Sequence, residues 1–141
     1  MSFYLDASAI LPLLLGEPTN DRLEQFVASH TGHLIGDFAA AEVAAVLSRL
    51  VRTRTLNAAD ANSRLTDFDT WRTAISNSVD LQAVDALLAG AYVRRFDLML
   101  RAPDALHLAI TRRVDATLVT LDRRMARAAA ELGIAVAVPI A

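Results

Sequence analysis

Short apolar runs alternate along this chain with longer stretches in which apolar residues recur every three or four positions. The first run, Phe3-Tyr4-Leu5, predicts a strand ending at Asp6. Ile10 to Leu15 then reads as a helix, capped by Asp6 or Ser8 and stopped by Gly16. Pro18-Thr19-Asn20 restarts the chain, and Leu23, Phe26 and Val27 give a second helix one apolar stripe. Leu34-Ile35 predicts a brief strand, with Asp37 capping the next helix, where Val43, Val46, Leu47, Leu50 and Val51 keep the i, i+3, i+4, i+7 spacing. After a turn at Thr53 to Asn57, a fourth helix over Ala58 to Ile75 carries Ala61, Leu65, Phe68 and Ile75 on one side, with Trp71 near them. These two helices are expected to form a protruding hairpin. Ser76 to Ser78 breaks the pattern, Val79-Asp80-Leu81 reads as a minor strand or a turn, and Val84, Leu87, Leu88, Ala91 and Tyr92 mark a fifth helix.

The last third reads as helix, turn, buried strand, helix. Pro103 suits the opening position of a helix and puts Asp104 in its first turn. Thr117 to Leu121 has the β-branched, apolar character of a buried strand, and Asp122 follows it directly. Met125, Ala128, Ala129 and Leu132 define a final helix stopped by Gly133, and Ile134 to Val138 predicts the last strand. Strands separated by helices, with helix in excess, argue for a three-layer α/β domain with a largely parallel sheet. No repeat or linker divides residues 1–141, which read as a single domain.

Composition narrows the chemistry. The hydrophobic fraction of 54% is high, yet no apolar run approaches the roughly 18 to 20 residues of a spanning helix. The N-terminus lacks the basic region of a secretion signal. A cytoplasmic protein with an apolar interaction surface, for a dimer or another partner, is the expectation. Cysteine is absent, which excludes disulfides, thiolate metal sites and a cysteine nucleophile. Lysine is absent too, so all 14 cationic residues are arginine, and Walker-type phosphate loops and Schiff-base chemistry are excluded. A net charge of −2 gives no bulk attraction for nucleic acid, so a polyanion would need local arginines or metal ions.

Four acids carry the functional signal. Asp6 and Asp122 each follow a strand directly, which puts both at the carboxyl edge of the sheet if those strands are parallel; ligand sites of open parallel sheets gather there. Glu42 lies little more than one turn into the helix that begins at the same edge, and Asp104 joins them if its helix returns across the sheet face. Each has an ordinary explanation: Asp6 and Asp122 as helix caps, Asp104 as a carboxylate at a helix N-terminus, Glu42 as a solvated helix residue. Together they would repel one another unless a cation neutralised them, and oxygen-only ligands select Mg²⁺ or Mn²⁺. Asp115 precedes the strand that Asp122 follows and reads as a turn residue at the opposite edge.

The stretches FYLDASAILPLLLGE, AAAEVAAVLSRL, RAPDALHLAI and ATLVTLDRRMARAAAELGIAV span nearly the whole chain, and in that order they resemble the PIN-domain ribonucleases, most closely the VapC-type toxins of toxin–antitoxin pairs. The segment Thr53 to Asp80 carries no motif of this kind. The resemblance implies a PIN-like fold with a five-stranded, mostly parallel sheet. It implies that Asp6, Glu42, Asp104 and Asp122 hold Mg²⁺ or Mn²⁺ for RNA hydrolysis, by in-line attack of water that leaves 5′-phosphate and 3′-hydroxyl ends. Ser8 and Thr120 match the small hydroxyl positions beside the first and last aspartates, where they would orient a carboxylate or a metal-bound water. A cognate antitoxin laid over the site and a homodimer are the implied partners.

Arg124 stands where many relatives carry a further acid, so one firmly held ion is expected, with a second arriving with RNA. Arg101, Arg123 and Arg124 lie closest to the acids in sequence and are the candidate phosphate contacts. His107, one helical turn after Asp104, reads as packing or helix structure, and His30 and His33 flank a glycine turn without an assigned role. Two rivals fall on sequence grounds. HAD phosphatases need an acid two positions after their first aspartate, where Ser8 stands, and both they and response-regulator receivers rely on a lysine. Two alternatives stay open: a housekeeping RNA-processing nuclease of the same fold, and a partner-binding module of that fold with weak or lost activity.

Overall fold

A computed structural model describes residues 1–17 and 20–139. Pro18 and Thr19, where the chain is expected to restart, lie outside the described residues. In chain order the elements are β1 (Phe3–Leu5), α1 (Ala7–Leu15), α2 (Asp21–Ser29), β2 (His33–Gly36), α3 (Asp37–Arg52), α4 (Ala58–Ile75), β3 (Ser76–Val79), α5 (Ala83–Val93), α6 (Ala102–Arg113), β4 (Thr117–Val119), α7 (Arg123–Glu131) and β5 (Val136–Ala137). A 3₁₀ turn at Phe96–Leu98 joins α5 to α6. The strands form one five-stranded sheet in the order β3-β2-β1-β4-β5, and every pairing is parallel. The expected three-layer α/β architecture with a five-stranded sheet is the one observed.

The period-2 alternation of β1 sorts the two helical layers. Tyr4 points into a core built with Ala105, Leu108 and Ala109 of α6, Ala89 and Tyr92 of α5, and Met125 and Ala128 of α7. Phe3 and Leu5 point the other way, onto Ala9 and Ile10 of α1, Leu23 of α2, Ala39 and Val43 of α3 and Phe68 of α4. The helices α3 and α4 form the expected hairpin, but Ala61 and Phe68 are buried and α4 packs back on α1, so its length does not stand free.

This order places a topological switch at the middle of the sheet. From β1 the chain moves outward to β2 and β3, then returns past β1 to β4 and β5. The crevice beyond the carboxyl ends of β1 and β4 is where open sheets of this type take their ligands.

Several boundaries differ from expectation for identifiable reasons. The third strand is Ser76–Val79, not Val79 to Leu81: the polar sequence Ser-Asn-Ser pairs along β2 from His33 to Gly36 as an edge strand, where polar side chains are tolerated. The fourth ends at Val119 because the Leu121 N–H leaves the ladder for the Ser8 hydroxyl at 2.9 Å. The fifth shrinks to Val136–Ala137, with the Ile134 N–H closing the end of α7 onto the Ala129 carbonyl. Gly36 rather than Asp37 sits at the cap of α3; Asp37 is its first helical residue and takes a hydrogen bond from Arg72 at 3.0 Å.

The largest difference is in α5. Val84 and Leu87, read as core, are 51% and 76% exposed, while Asp85 is 1% exposed. The Asp85 carboxylate accepts two hydrogen bonds from Arg113 of α6, at 2.7 and 3.0 Å, and this ion pair turns the polar edge of α5 inward. Among the described residues no helix is long and apolar enough to cross a membrane.

Candidate active site

Asp6 ends β1 and caps α1: its Oδ1 accepts from the Ala9 N–H at 3.2 Å. The cap accounts for only part of its environment. The Ser8 hydroxyl donates to Oδ1 at 2.6 Å and the Thr120 hydroxyl donates to Oδ2 at 2.7 Å. Both hydroxyl hydrogens are thereby spent on Asp6, so the 3.1 Å approach of Ser8 to Thr120 is a contact and not a further bond. The same two oxygens accept backbone N–H groups of the segment after β4, Ser8 from Leu121 across the switch and Thr120 from Asp122 at 3.0 Å. Two small hydroxyls thus lace the end of β1 to the end of β4.

Among the described residues no cationic side chain pairs with Asp6 directly. Asp6 is 2% exposed. Burial raises its pKa, a rise that the Ser8 and Thr120 hydrogen bonds only moderate. Tyr4, two residues earlier on β1, is pushed up as well, by burial first and then by the charges of Asp6 and Glu42.

Asp122 caps α7, its Oδ1 accepting from the N–H groups of Arg124 at 2.9 Å and Met125 at 3.2 Å. Asp104 is 7% exposed in the first turn of α6, where its Oδ2 accepts weakly from the Arg101 N–H at 3.4 Å and lies 3.5 Å from the Arg101 guanidinium. The position of α6 follows from its connection. Its last residue leads within a few positions to Thr117, which pairs with Phe3 at the start of β1, so α6 ends at the amino edge. Its 12 residues span about 18 Å, which carries its first turn to the carboxyl edge.

Glu42, on α3 just beyond the end of β2, is joined to α6 directly: its carboxylate accepts from Nε2 of His107. His107 is 2% exposed, and its Nδ1 lies 2.8 Å from the Tyr4 hydroxyl. The expectation that His107 is packing is therefore incomplete. Its one sequence signal was its place a single turn after Asp104, on the face that must also meet the sheet. Asp115 falls at the opposite edge, in a turn with φ of 52°, as its sequence position implies.

The side chains of Asp6, Glu42, Asp104 and Asp122 thus belong to one edge of the sheet, although among the described residues no three acids or histidines close on a common point. Each is turned to a partner of its own: Asp6 to hydroxyls, Glu42 to His107, Asp104 to Arg101, Asp122 to the start of α7. The donor set is oxygen only, and its most buried member has no cationic partner. Both features fit a hard divalent ion. Arg101, Arg123 and Arg124 are exposed around this edge, Arg101 with 73% of its side chain free to solvent.

Comparison with known proteins agrees with this architecture. The PIN domain family matches residues 3–131. Ribonuclease VapC46 of Mycobacterium tuberculosis is 34% identical over 142 aligned positions, covering 98% of both chains. Among solved structures, a toxin–antitoxin complex from Klebsiella pneumoniae superimposes with a TM-score of 0.70 at 17% identity, covering 98% of both chains. VapC20 of Mycobacterium tuberculosis, a sarcin–ricin loop cleaving toxin, superimposes with a TM-score of 0.69 at 16% identity, covering 90% of this chain and 95% of its own. At those identities the two structures speak for the fold.

Proposed function

Because this chain belongs to the PIN-domain family, we propose that it is a Mg²⁺- or Mn²⁺-dependent endoribonuclease acting in the cytoplasm as the toxin of a type II toxin–antitoxin pair. The observation that carries the reading is the buried Asp6 at the switch point, in no ion pair among the described residues, with Asp122, Glu42 and Asp104 arriving at the same edge. Asp6, Glu42, Asp104 and Asp122 would hold the ion. When bound, it would polarise a phosphodiester and favour attack by water. Ser8 and Thr120 fix both oxygens of Asp6 so that its carboxylate does not swing. Arg101, Arg123 and Arg124 are the groups we assign to backbone phosphates, since guanidinium forks suit them and the net charge of −2 supplies no general attraction. Arg124, in place of an acid, argues for one resident ion.

RNA as substrate is supported by the relatives, one a ribonuclease and one a sarcin–ricin loop cleaving toxin. An antitoxin protein as partner is supported by the structural likeness to a chain from a toxin–antitoxin complex. The test is cleavage of end-labelled RNA by the purified protein, with Mg²⁺ or Mn²⁺ and with EDTA. Cleavage should require the ion and fall at least roughly 100-fold in Asp104→Asn, a variant that keeps the shape of the first turn of α6. Undiminished cleavage by that variant, freed of contaminating nuclease, removes the assignment.

A second copy of the chain is proposed on the outer face of α5. Leu81, Val84, Leu87 and Ala91 are all exposed, with Ala83, Ala86 and Gly90 beside them, an uncharged apolar face that a twin helix can cover. Leu87→Glu should shift the sedimenting species from dimer to monomer while leaving the circular dichroism unchanged. A wild-type monomer at tens of micromolar would refute it.

A further inference from the structure

We propose that Tyr4 and His107 form a positioning relay for Glu42, which holds that carboxylate at the edge of the sheet where the other three acids lie. The inference rests on the reading of Glu42 as an ion ligand. Three elements meet at the relay: Tyr4 from β1, His107 from α6 and Glu42 from α3. A carboxylate only accepts hydrogen bonds, so Nε2 of His107, which faces Glu42, carries the hydrogen. In the neutral ring Nδ1 is then an acceptor, and the Tyr4 hydroxyl, 2.8 Å away, donates to it. The order is therefore Tyr4 O–H to Nδ1, then Nε2–H to Glu42, and the tyrosine selects the tautomer that the carboxylate needs.

Nothing else the structure describes performs this task. Glu42 has no arginine partner, and its one side-chain hydrogen bond is to His107. The ring cannot turn away. It is 2% exposed, packed 5.1 Å from the Phe38 ring and 5.7 Å from the Tyr4 ring between centroids. Thr111 anchors the same turn of α6 through the His107 carbonyl at 2.6 Å. A half-exposed glutamate on the first turns of a helix has several rotamers, and a fixed donor restricts them. Groups that orient a ligand from behind in this way typically change ion affinity or activity by roughly 10- to 100-fold when removed.

The experiment measures Mn²⁺ binding to the intact metal-free protein, by calorimetry or by the free-ion paramagnetic signal, in wild type, His107→Leu, His107→Gln and Tyr4→Phe. His107→Leu should weaken Mn²⁺ about tenfold and lower kcat for RNA with KM unchanged; His107→Gln, whose amide nitrogen can stand near Nε2, should recover part of the loss. Tyr4→Phe keeps the packing, removes only the hydroxyl, and should give a smaller loss in the same direction. Independently of any ion, ¹⁵N imidazole shifts of the wild type should show a protonated Nε2 on His107. A bare Nε2, or a folded His107→Leu variant within twofold of wild type in Mn²⁺ affinity, overturns the relay. If His107→Leu does not fold, Tyr4→Phe and the nitrogen shifts decide. Asp6→Asn separates the two levels: if it binds Mn²⁺ as wild type does, the acidic site itself is misassigned and the relay falls with it. If Asp6→Asn loses Mn²⁺ and the His107 variants do not, the relay alone falls.

Discussion

Asp6→Asn is expected to lower ion-dependent RNA cleavage by at least roughly 10³-fold while making the metal-free protein more stable than wild type. The two effects have one cause. Asp6 is almost fully buried, accepts from two hydroxyls and one N–H, and forms no ion pair among the described residues, so its charge is poorly compensated in the folded chain. Burial raises its pKa in the folded state. A folded state that binds the proton more readily than the unfolded one loses stability as pH rises from the ordinary aspartate range, about 4, through the raised value. Metal-free wild type should therefore gain stability as pH falls through the raised value, and Asp6→Asn should abolish that gain.

The asparagine keeps an acceptor for the Ala9 N–H and the Ser8 hydroxyl, while its amide must donate to Thr120, whose hydroxyl has to turn. The net gain is on the order of 1 kcal/mol, or roughly 3 °C in Tm. Added Mn²⁺ should reverse the ranking. At about 100 times its Kd an ion stabilises the state that binds it by roughly 2.7 kcal/mol, and only wild type should receive that. Thermal melts of both proteins with EDTA and with Mn²⁺ give four values whose order tests the argument. Equal stabilisation of both proteins by Mn²⁺ would leave the buried charge without the role assigned to it.

The parts of the candidate site legible in the sequence were those whose local signal coincided with their place at the edge of the sheet. Asp6 and Asp122 cap helices that start directly beyond strands, and the structure keeps both as caps while bringing both to the switch point. Ser8 and Thr120 stood beside them in sequence, so their hydroxyls had short routes to Asp6. His107 was not legible as more than packing. Its role depends on Tyr4 and Glu42, 103 and 65 residues away, and a histidine among leucines on a helix has the same local pattern whether or not it meets a carboxylate. The same limit applies to α5. Periodicity placed Val84 and Leu87 inside, but a helix rich in alanine and leucine has no contrast between its faces, and the buried ion pair of Asp85 with Arg113 chose the face instead. The bounds of the edge strand β3 are not legible because Ser-Asn-Ser has no apolar alternation, and an edge position does not demand one.

That ion pair carries the second large effect: Arg113→Met should destabilise the fold by about 3 kcal/mol, seen as a fall in Tm of roughly 9 °C. Arg113 donates to both oxygens of Asp85 and, at 2.8 Å, to the Asp80 carbonyl, so one guanidinium ties the entry of α5 to the end of α6. Methionine fills a similar volume but leaves the Asp85 carboxylate buried, with the Gln82 N–H at 2.9 Å as its remaining partner. Burial alone pushes the Asp85 pKa up, and the Arg113 hydrogen bonds, the Gln82 N–H and the Arg113 charge together outweigh it, so the net shift is downward. In wild type the pair therefore contributes stability above the unfolded aspartate range, about pH 4, and loses it as pH falls through the depressed folded value. In Arg113→Met only the upward push of burial and one N–H remain, and the sign inverts: stability should rise as the medium is acidified from neutrality. Urea unfolding of both proteins between pH 7 and about pH 4 should give curves that converge. The double variant Asp85→Asn, Arg113→Met removes the charge yet keeps an oxygen for the Gln82 N–H, and should recover most of the loss at neutral pH. Parallel curves, or a double variant no better than Arg113→Met, would mean that the methylene packing of Arg113 and not its charge holds α5 against α6, the helix that carries Asp104 and His107.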